Sequence, residues 1–255
     1  MINPGIIGAA SLASVGYIPF AHDANTLWWD FNNIQNTTEA TGVDTFSFVP
    51  ERISGINNLW QPNKALQPLD STNGANFNKD TPRQMYLENV EGITNGKSGW
   101  YMACNVYFET GDGNVMSIAR NSSSAASRGE IYLTSSRNFA LKAASNDGGT
   151  LAFVGYTSAL SLTTWYTLEM LFEVVAGVGE LTIWVNGVQQ TLSVDNNPAF
   201  VNFPSTDSSE IVIGNLASTD IDSLDGELQQ LIFYNGVPSS TIRDSVQTYL
   251  IGVKP

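Results

Sequence analysis

The sequence predicts an all-β protein in which two antiparallel sheets pack as a sandwich, and three observations favour this fold class. From Leu27 onward, apolar and polar residues alternate with a period of two, as they do in strands with one buried face. Turn-forming Gly, Asn and Asp interrupt these stretches at short intervals. Hydrophobic residues make up 42% of the 255 residues, which is enough for a large core. We therefore expect one sandwich domain over residues 27–255, preceded by an extended N-terminal arm over residues 1–26.

The clearest predicted strand covers residues 100–108, where Trp100, Met102 and Cys104 share one face. Further strands are predicted at residues 130–134, 139–144, 150–156, 165–175, 180–192, 210–214 and 226–236. Asn and Gly between several of these strands favour tight hairpin turns, because both residue types accept the positive φ that such turns need. Residues 61–82 are rich in Asn, Pro, Gly and Asp, and we expect a long surface loop there.

A short helix is predicted near the C-terminus, at residues 238–250. Ser239 or Ser240 can cap its first turn, and Ile242, Val246 and Leu250 recur near one face. Because this face is apolar, we expect the helix to pack against one edge of the sandwich.

The charge balance excludes several classes of protein. Eleven Lys and Arg residues against 24 Asp and Glu residues give a net charge of −13, which disfavours a nucleic-acid partner. One cysteine and one histidine, Cys104 and His22, exclude an internal disulfide and a site with several histidines. Residues 6–20 are apolar but too short and too interrupted to span a membrane. No Lys or Arg precedes Arg52, which disfavours a secretory signal peptide.

Two blocks of motifs carry a family resemblance. The carboxy-terminal half contains, in order, Trp165-Tyr166, Trp184-Val-Asn-Gly187, Ile213-Gly214, Asp225-Gly-Glu227, residues 231–234 and a capped helix ending in Tyr249-Leu250. This order resembles the laminin-G-like, concanavalin A-like lectin and glucanase jelly roll. The stretch LWWDFNN at residues 27–33 is similar to the lead-in of such domains in bacteriophage tail and other virion proteins. The resemblance covers residues 27–251 and implies a two-sheet antiparallel jelly-roll sandwich with a short C-terminal helix.

The resemblance implies a non-enzymatic bacteriophage virion protein that displays a lectin-like jelly roll for adhesion to host-surface glycan. On this interpretation the arm at residues 1–26 contacts other virion proteins, the protein forms a homo-oligomer, and it assembles in the host cytoplasm before entering the virion. Two alternatives stay open. One is a decoration or fibre component with a purely structural role, and the other is a glycan-degrading enzyme of the same fold, since a fold does not define a function.

Glycan binding calls for exposed aromatic rings flanked by amide side chains. Two positions fit this pattern. Trp184 and Asn186 are predicted on the more polar face of a strand, and Trp60 lies beside Asn58 in a predicted loop. These four residues are the predicted glycan-binding candidates.

The sequence contains fewer motifs that indicate catalysis or metal binding. Retaining glucanases of this fold carry two glutamates in an E-x-D-x-E string, which the sequence lacks. The nearest pair, Glu169 and Glu173, is interpreted as part of a solvated sheet face. Calcium is possible in acid-bearing loops at residues 111–114, 146–147, 195–197 and 219–222, but none contains a recognisable ligand set. We expect no cofactor and no catalytic residues.

Overall fold

The computed structural model describes residues 19–32, 48–78, 80, 83–88, 90, 97, 99–120, 127–144, 151–195, 209–215 and 223–255. Most of the predicted arm, residues 1–18, lies outside this part of the chain. The expected contact of the arm with another protein, and the homo-oligomer, therefore stay predictions. At its described end the arm folds back on the body, because Phe20 lies in a short 3₁₀ turn, Pro19–His22, and is fully buried.

The strands, in chain order, are β1 (Thr26–Asp30), β2 (Phe48–Val49), β3 (Leu59–Trp60), β4 (Leu69–Ser71), β5 (Gly74–Phe77), β6 (Met85–Glu88), β7 (Gly99–Phe108), β8 (Gly113–Arg120), β9 (Ser127–Leu133), β10 (Asn138–Ala144), β11 (Leu151–Ala159), β12 (Trp165–Val175), β13 (Val178–Val185), β14 (Val188–Gln189), β15 (Ser193–Asp195), β16 (Ser209–Ile213) and β17 (Gly226–Tyr234). A second 3₁₀ turn covers Lys64–Leu66, and a helix, α1, covers Ser240–Val253.

These strands form two antiparallel sheets. The eight-stranded sheet has the order β14-β13-β12-β7-β17-β5-β4, with β1 also paired to β17. The nine-stranded sheet has the order β15-β11-β10-β9-β8-β16-β6-β3-β2. The prediction of a mostly β protein with two antiparallel sheets and a C-terminal helix is therefore confirmed. The specific jelly-roll arrangement stays a prediction.

The main core is formed by apolar side chains that alternate along the strands of both sheets. On β7, Trp100, Met102 and Cys104 point into this core, as their period of two predicts. Large rings fill much of the remaining space, and Trp29, Phe77, Phe108, Phe139 and Phe172 are all buried in it. Removing these side chains from water is the main source of stability for the sandwich.

The helix covers a face of the eight-stranded sheet rather than an edge. Ser239 caps it, since its Oγ accepts a hydrogen bond of 3.3 Å from the Ile242 amide. Tyr249 packs with Trp28 from β1, with ring centroids 5.2 Å apart. The outward side of β7 carries Tyr101, which is fully buried. This sheet has apolar residues on both faces, so its outer face needs a cover, and α1 supplies it.

Residues 61–82 are more regular than the expected surface loop. The pair β4 and β5 lies within them and extends the eight-stranded sheet, with Asp70 opposite Ala75. β5 also pairs with β17. The expectation of a loop is wrong here because these strands are short and too rich in Asn and Gly to show an alternating pattern.

Two features of the described residues bear on membrane insertion and metal binding. No helix in the described part of the chain is long and apolar enough to cross a membrane. Among the described residues, no group of three or more His, Cys, Asp or Glu side chains is placed to hold a metal ion. The loops at 146–147 and 219–222 lie outside the described residues, so calcium binding there stays untested.

Candidate functional site

The outer face of the nine-stranded sheet carries a continuous cross-strand row of side chains. Each member lies opposite the next in the strand register, and the row runs Trp60, Tyr86, Val212, Ser117, Glu130, Lys142, Val154. Their chain neighbours Leu59, Leu87 and Ile211 point into the core. Because successive side chains of a strand point to opposite faces, the row faces away from the core.

Aromatic rings occupy one end of this row. Phe48 on β2 lies opposite Trp60 on β3, and Trp60 lies opposite Tyr86 on β6. Phe48 is 42% exposed and Trp60 is 39% exposed, although Val49 and Leu59 beside them are fully buried. Three aromatic side chains therefore lie side by side across neighbouring strands, and two of them are open to solvent. We name Phe48, Trp60 and Tyr86 the aromatic row.

A hydrogen-bond network fixes the inner member of the aromatic row. Gln84 donates from Nε2 to the Tyr86 hydroxyl, and its own Oε1 accepts from Asn215 Nδ2 at 2.8 Å. Gln61, next to Trp60, donates from Nε2 to the Gln84 carbonyl at 3.1 Å. Gln61, Gln84 and Asn215 are buried. The network ties β3, β6 and the end of β16 together, so Tyr86 has a fixed position beside Trp60.

The loop that leads into Trp60 is organised by one buried carboxylate. Glu51 accepts hydrogen bonds from the Ile53 amide at 2.8 Å, the Ser54 hydroxyl at 2.6 Å and the Gly55 amide at 3.0 Å. The predicted candidate Asn58 closes the same loop. Its Oδ1 accepts from the Glu51 amide at 2.8 Å, and its Nδ2 donates to the Gly55 carbonyl at 2.9 Å. Asn58 thus positions the loop before Trp60, with both ends of its amide engaged.

Two carboxylates lie directly beside the aromatic row. Glu88 on β6 is opposite Glu210 on β16, one step further along the two strands that carry Tyr86 and Val212. Glu88 is exposed, whereas Glu210 is only 7% exposed. Burial raises the pKa of Glu210, and the neighbouring charge of Glu88 raises it further. The side chain of Glu210 has no hydrogen bond or ion pair in the described part of the chain.

An ion pair occupies the middle of the row. Lys142 Nζ lies 3.3 Å from Glu130 Oε2 and 4.3 Å from the centre of the Tyr132 ring. Burial by itself lowers the pKa of Lys142, but Glu130 and Tyr132 outweigh it and the net pKa is raised. The lysine therefore stays charged and holds the Tyr132 ring on this outer face.

The other two predicted candidates lie elsewhere, at the eight-stranded sheet, where Trp184 is buried beneath α1 and Asn186 is exposed in a turn. Trp184 is 7% exposed, and the Arg243 guanidinium of α1 lies 4.9 Å from its ring centre. Asn186 lies in the turn between β13 and β14 at φ +50°. Its Oδ1 accepts from the Thr167 amide at 3.0 Å and from Lys254 Nζ at 2.7 Å. The structure thus separates the two candidate pairs onto different sheets, and only Trp60 presents an exposed ring.

The interpretation of Glu169 as part of a solvated face is wrong. Glu169 is fully buried beneath α1, where Tyr101 and Gln247 donate to its carboxylate at 2.9 and 2.7 Å. The alternation along β12 places Glu169 on the outer face, but the helix covers that position. The alternating pattern of β12 showed which face of the sheet Glu169 lies on, but it did not show that the helix packs over that face.

Comparisons with known proteins find similarity in structure alone. No family model matches the chain, and no curated protein matches it. A Trypanosoma rangeli sialidase solved in complex with 2,3-difluoro-KDN aligns with a TM-score of 0.60 and 11% identity. That alignment covers 98% of this chain and 36% of the sialidase, so the chain spans about a third of that enzyme's length. A GH54 α-L-arabinofuranosidase aligns with a TM-score of 0.56 and 14% identity, over 93% of this chain and 60% of that one.

These likenesses show a shared fold and correct the predicted setting. The expectation of a bacteriophage virion protein for host adhesion is wrong, because the two structures named above, which match more than nine-tenths of the chain, are glycoside hydrolases. The expectation that the chain is not an enzyme stays a prediction. The motifs behind that expectation are Trp-led strands, an Asn-Gly turn and a capped helix. Such motifs specify how a sandwich is built and carry no information about the particle or organism that uses it.

Proposed function

We propose that this protein binds carbohydrate on the outer face of its nine-stranded sheet, with Trp60 as the main stacking surface. The observation that carries the proposal is the aromatic row, in which exposed rings lie side by side on a sheet face next to polar side chains. Aromatic rings offer a large, rigid contact area with little loss of conformational entropy, which suits the apolar face of a sugar ring.

The polar groups around the row supply the second requirement of a sugar site. Glu88 lies one step along β6 from Tyr86 on the same outer face and is exposed, and the Glu130–Lys142 ion pair lies further across that face. Carboxylates and hydroxyls hydrogen-bond to sugar hydroxyls and fix the orientation of a ligand.

The fold supports the same proposal more weakly. We place the two sheets in the concanavalin A-like jelly-roll class, in which lectins and glycosidases both occur. The two structural neighbours named above act on glycosides, as their names state. Identities of 11% and 14% show a shared fold alone. The proposal therefore depends on the aromatic row, and the two structural neighbours are only consistent with it.

The test is glycan binding by the full chain and by two tryptophan variants. A glycan array identifies ligands, and calorimetry then measures their affinity. We expect Trp60→Ala to weaken binding at least about tenfold, equivalent to ~1.4 kcal/mol. The matched control is Trp165→Ala, which removes a partly buried tryptophan from the eight-stranded sheet and should leave the affinity within about twofold. An array without any bound glycan, or equal affinities for Trp60→Ala and the unmodified protein, would refute the proposal.

A further inference from the structure

We infer that the outer face of the eight-stranded sheet holds a second binding site, which takes a quaternary ammonium ligand of the choline type. This site lies on a different sheet from the proposed carbohydrate site and does not depend on it. Three observations carry the inference. They are a pair of partly buried aromatic rings, a glutamate beside them without a cationic partner, and a helix end that borders the rings without covering them.

The two aromatic rings lie together on the outward side of the sheet. Trp165 on β12 is the direct cross-strand partner of Tyr107 on β7, and their ring centroids are 5.8 Å apart with planes inclined at 42°. Both side chains point outward, because Tyr166 and Val106 next to them lie in the core. Both are only partly buried. The pair therefore presents two inclined aromatic surfaces to solvent.

A carboxylate lies directly beside the rings. Glu227 on β17 is the cross-strand partner of Tyr107, and such partners have Cβ atoms about 4.5–5.5 Å apart. Ser71 donates from Oγ to Glu227 Oε2 at 3.1 Å, whereas Oε1 accepts no hydrogen bond from a described residue. No described lysine or arginine forms an ion pair with Glu227, and Lys254 donates to Asn186 Oδ1 instead. The rings thus lie next to a negative charge that no described cation neutralises.

The end of α1 covers the neighbouring positions of this face and leaves the rings open. Asn105 precedes Tyr107 by two residues on β7, about 7 Å along the strand. Its Nδ2 donates to the Leu250 carbonyl of α1 at 2.9 Å. Asn105 is fully buried, whereas Tyr107 is only partly buried. The helix end therefore forms one border of the site.

These features match a quaternary ammonium group better than a sugar. Aromatic faces attract cations through the ring quadrupole, most strongly at tryptophan, and quaternary ammonium ligands are recognised in this way. A neighbouring carboxylate adds electrostatic attraction. Two rings inclined at 42° do not form a flat platform for a sugar ring.

The open oxygen of Glu227 favours choline itself among such ligands. Choline carries a hydroxyl group two carbons from its nitrogen, and this hydroxyl can donate to Oε1 while the ammonium group lies on the rings. A phosphate in place of the hydroxyl would meet the charge of Glu227 with no described cation to balance it. We therefore expect free choline to bind more tightly than phosphocholine.

Binding is measured on the full chain by NMR titration that follows the methyl proton signal of the ligand at constant ionic strength. We expect saturable choline binding with a Kd of about 1–10 mM, since exposed cation–π contacts are individually weak. The uncharged carbon analogue of choline, 3,3-dimethylbutanol, should not bind. Tetramethylammonium, which lacks the hydroxyl group, should bind about threefold more weakly, and phosphocholine at least about fivefold more weakly.

Variants locate the site. Trp165→Ala and Glu227→Gln should each weaken choline binding at least about fivefold. Trp165→Phe should weaken it less, because phenylalanine keeps an aromatic face, and this variant also retains a ring to pack against Tyr107. The matched control is Glu180→Gln, which removes another carboxylate from the eight-stranded sheet and should leave the affinity unchanged. Trp60→Ala should also leave it unchanged, because Trp60 lies on the other sheet.

The outcomes separate this inference from the carbohydrate proposal. No saturable choline binding, or equal binding of choline and 3,3-dimethylbutanol, would overturn the inference and leave the carbohydrate proposal intact. Choline binding that survives in Trp165→Ala and in Glu227→Gln would also overturn it. Tighter binding of a trimethyl-lysine peptide than of choline would assign the surface to a protein partner and overturn the choice of choline.

Discussion

Tyr101 donates a hydrogen bond of 2.9 Å from its hydroxyl to Glu169 Oε2, and both residues are fully buried between the eight-stranded sheet and α1. The second oxygen of the same carboxylate accepts from Gln247 Nε2 of the helix at 2.7 Å. One carboxylate therefore joins strands β7 and β12 to the helix above them. The helix covers this part of the eight-stranded sheet, whereas the exposed rings of Phe48 and Trp60 lie on the nine-stranded sheet.

The first prediction concerns the pH dependence of stability at Glu169. Burial raises the pKa of Glu169 in the folded protein, although Gln247, Tyr101 and Arg243 oppose the shift. The folded state then holds its proton more tightly than the unfolded state. The contribution of this group to stability is therefore fully present below the unfolded pKa and is lost as the pH rises through the folded pKa.

Urea unfolding of the unmodified protein and of Glu169→Gln checks this prediction. The measurements cover about pH 3 to pH 8, which includes the usual carboxyl pKa and values well above it. The difference in unfolding free energy between the two proteins should change across the range in the direction stated. The control is Glu173→Gln on the same strand, where the glutamate is only half-buried. A pH-independent difference for Glu169→Gln would contradict the prediction.

The second prediction separates the two sequence candidates for glycan binding. Trp184 is buried beneath Arg243, so Trp184→Ala should cost about 3 kcal/mol of stability through lost packing. The folded fraction should still bind glycan, because the ring does not reach the nine-stranded sheet. Trp60→Ala should show the opposite result, with a loss of binding and a change in stability under about 1 kcal/mol. Thermal unfolding and calorimetry on both variants measure these effects.

The third prediction tests the close approach of two strands at Gly226. Its φ is +153°, and a Cβ there would lie 1.9 Å from the Tyr107 carbonyl oxygen. Since that contact is to backbone, Gly226→Ala should cost about 4 kcal/mol or more, or prevent folding. Gly55 also has a positive φ, +68°, but has nothing within 4 Å of a Cβ. Gly55→Ala should therefore cost only about 1–2 kcal/mol. Similar melting temperatures for the two variants would refute this account.

The fourth prediction links the Glu51 loop to the aromatic row. The Glu51 carboxylate accepts hydrogen bonds from the Ser54 hydroxyl and from the Gly55 amide, and Asn58 closes the same loop. Glu51→Ala leaves these donors unpaired and should cost about 1–3 kcal/mol. We also expect weaker glycan binding, because the loop sets the position of β3 and Trp60. Glu109→Ala, in a turn next to the eight-stranded sheet, should leave the affinity unchanged. An unchanged affinity in folded Glu51→Ala would show that the loop does not position Trp60.

The long strands were predictable because their signal is local. The pattern at residues 100–108 gave β7 (Gly99–Phe108) to within one residue, and the pattern at residues 165–175 gave the bounds of β12 (Trp165–Val175). In these strands the polarity of each side chain indicates whether it lies on the buried or the outer face of the sheet. The short strands β4 and β5 gave no such signal, because two or three alternations of Asn, Ser and Gly cannot be told from a loop.

The candidate site was predictable only in part. Trp60 was identified because an aromatic residue among amides is unusual, and the structure places it on an exposed strand. Trp184 met the same criterion but lies under a helix. A strand pattern states which face a side chain occupies, whereas exposure depends on what packs there from elsewhere in the chain.

The sequence by itself determined the all-β class, the positions of the long strands and the capped C-terminal helix, because periodicity, turn residues and capping act between near neighbours. Only the tertiary structure decided which strands lie side by side. Glu88 and Glu210 are far apart in the chain and become partners when β6 pairs with β16. The pairing of β3 with β6 places Trp60 beside Tyr86 on one face. Strand pairing over such distances depends on the fit of the whole core, so no local pattern could specify either the aromatic row or the carboxylate pair.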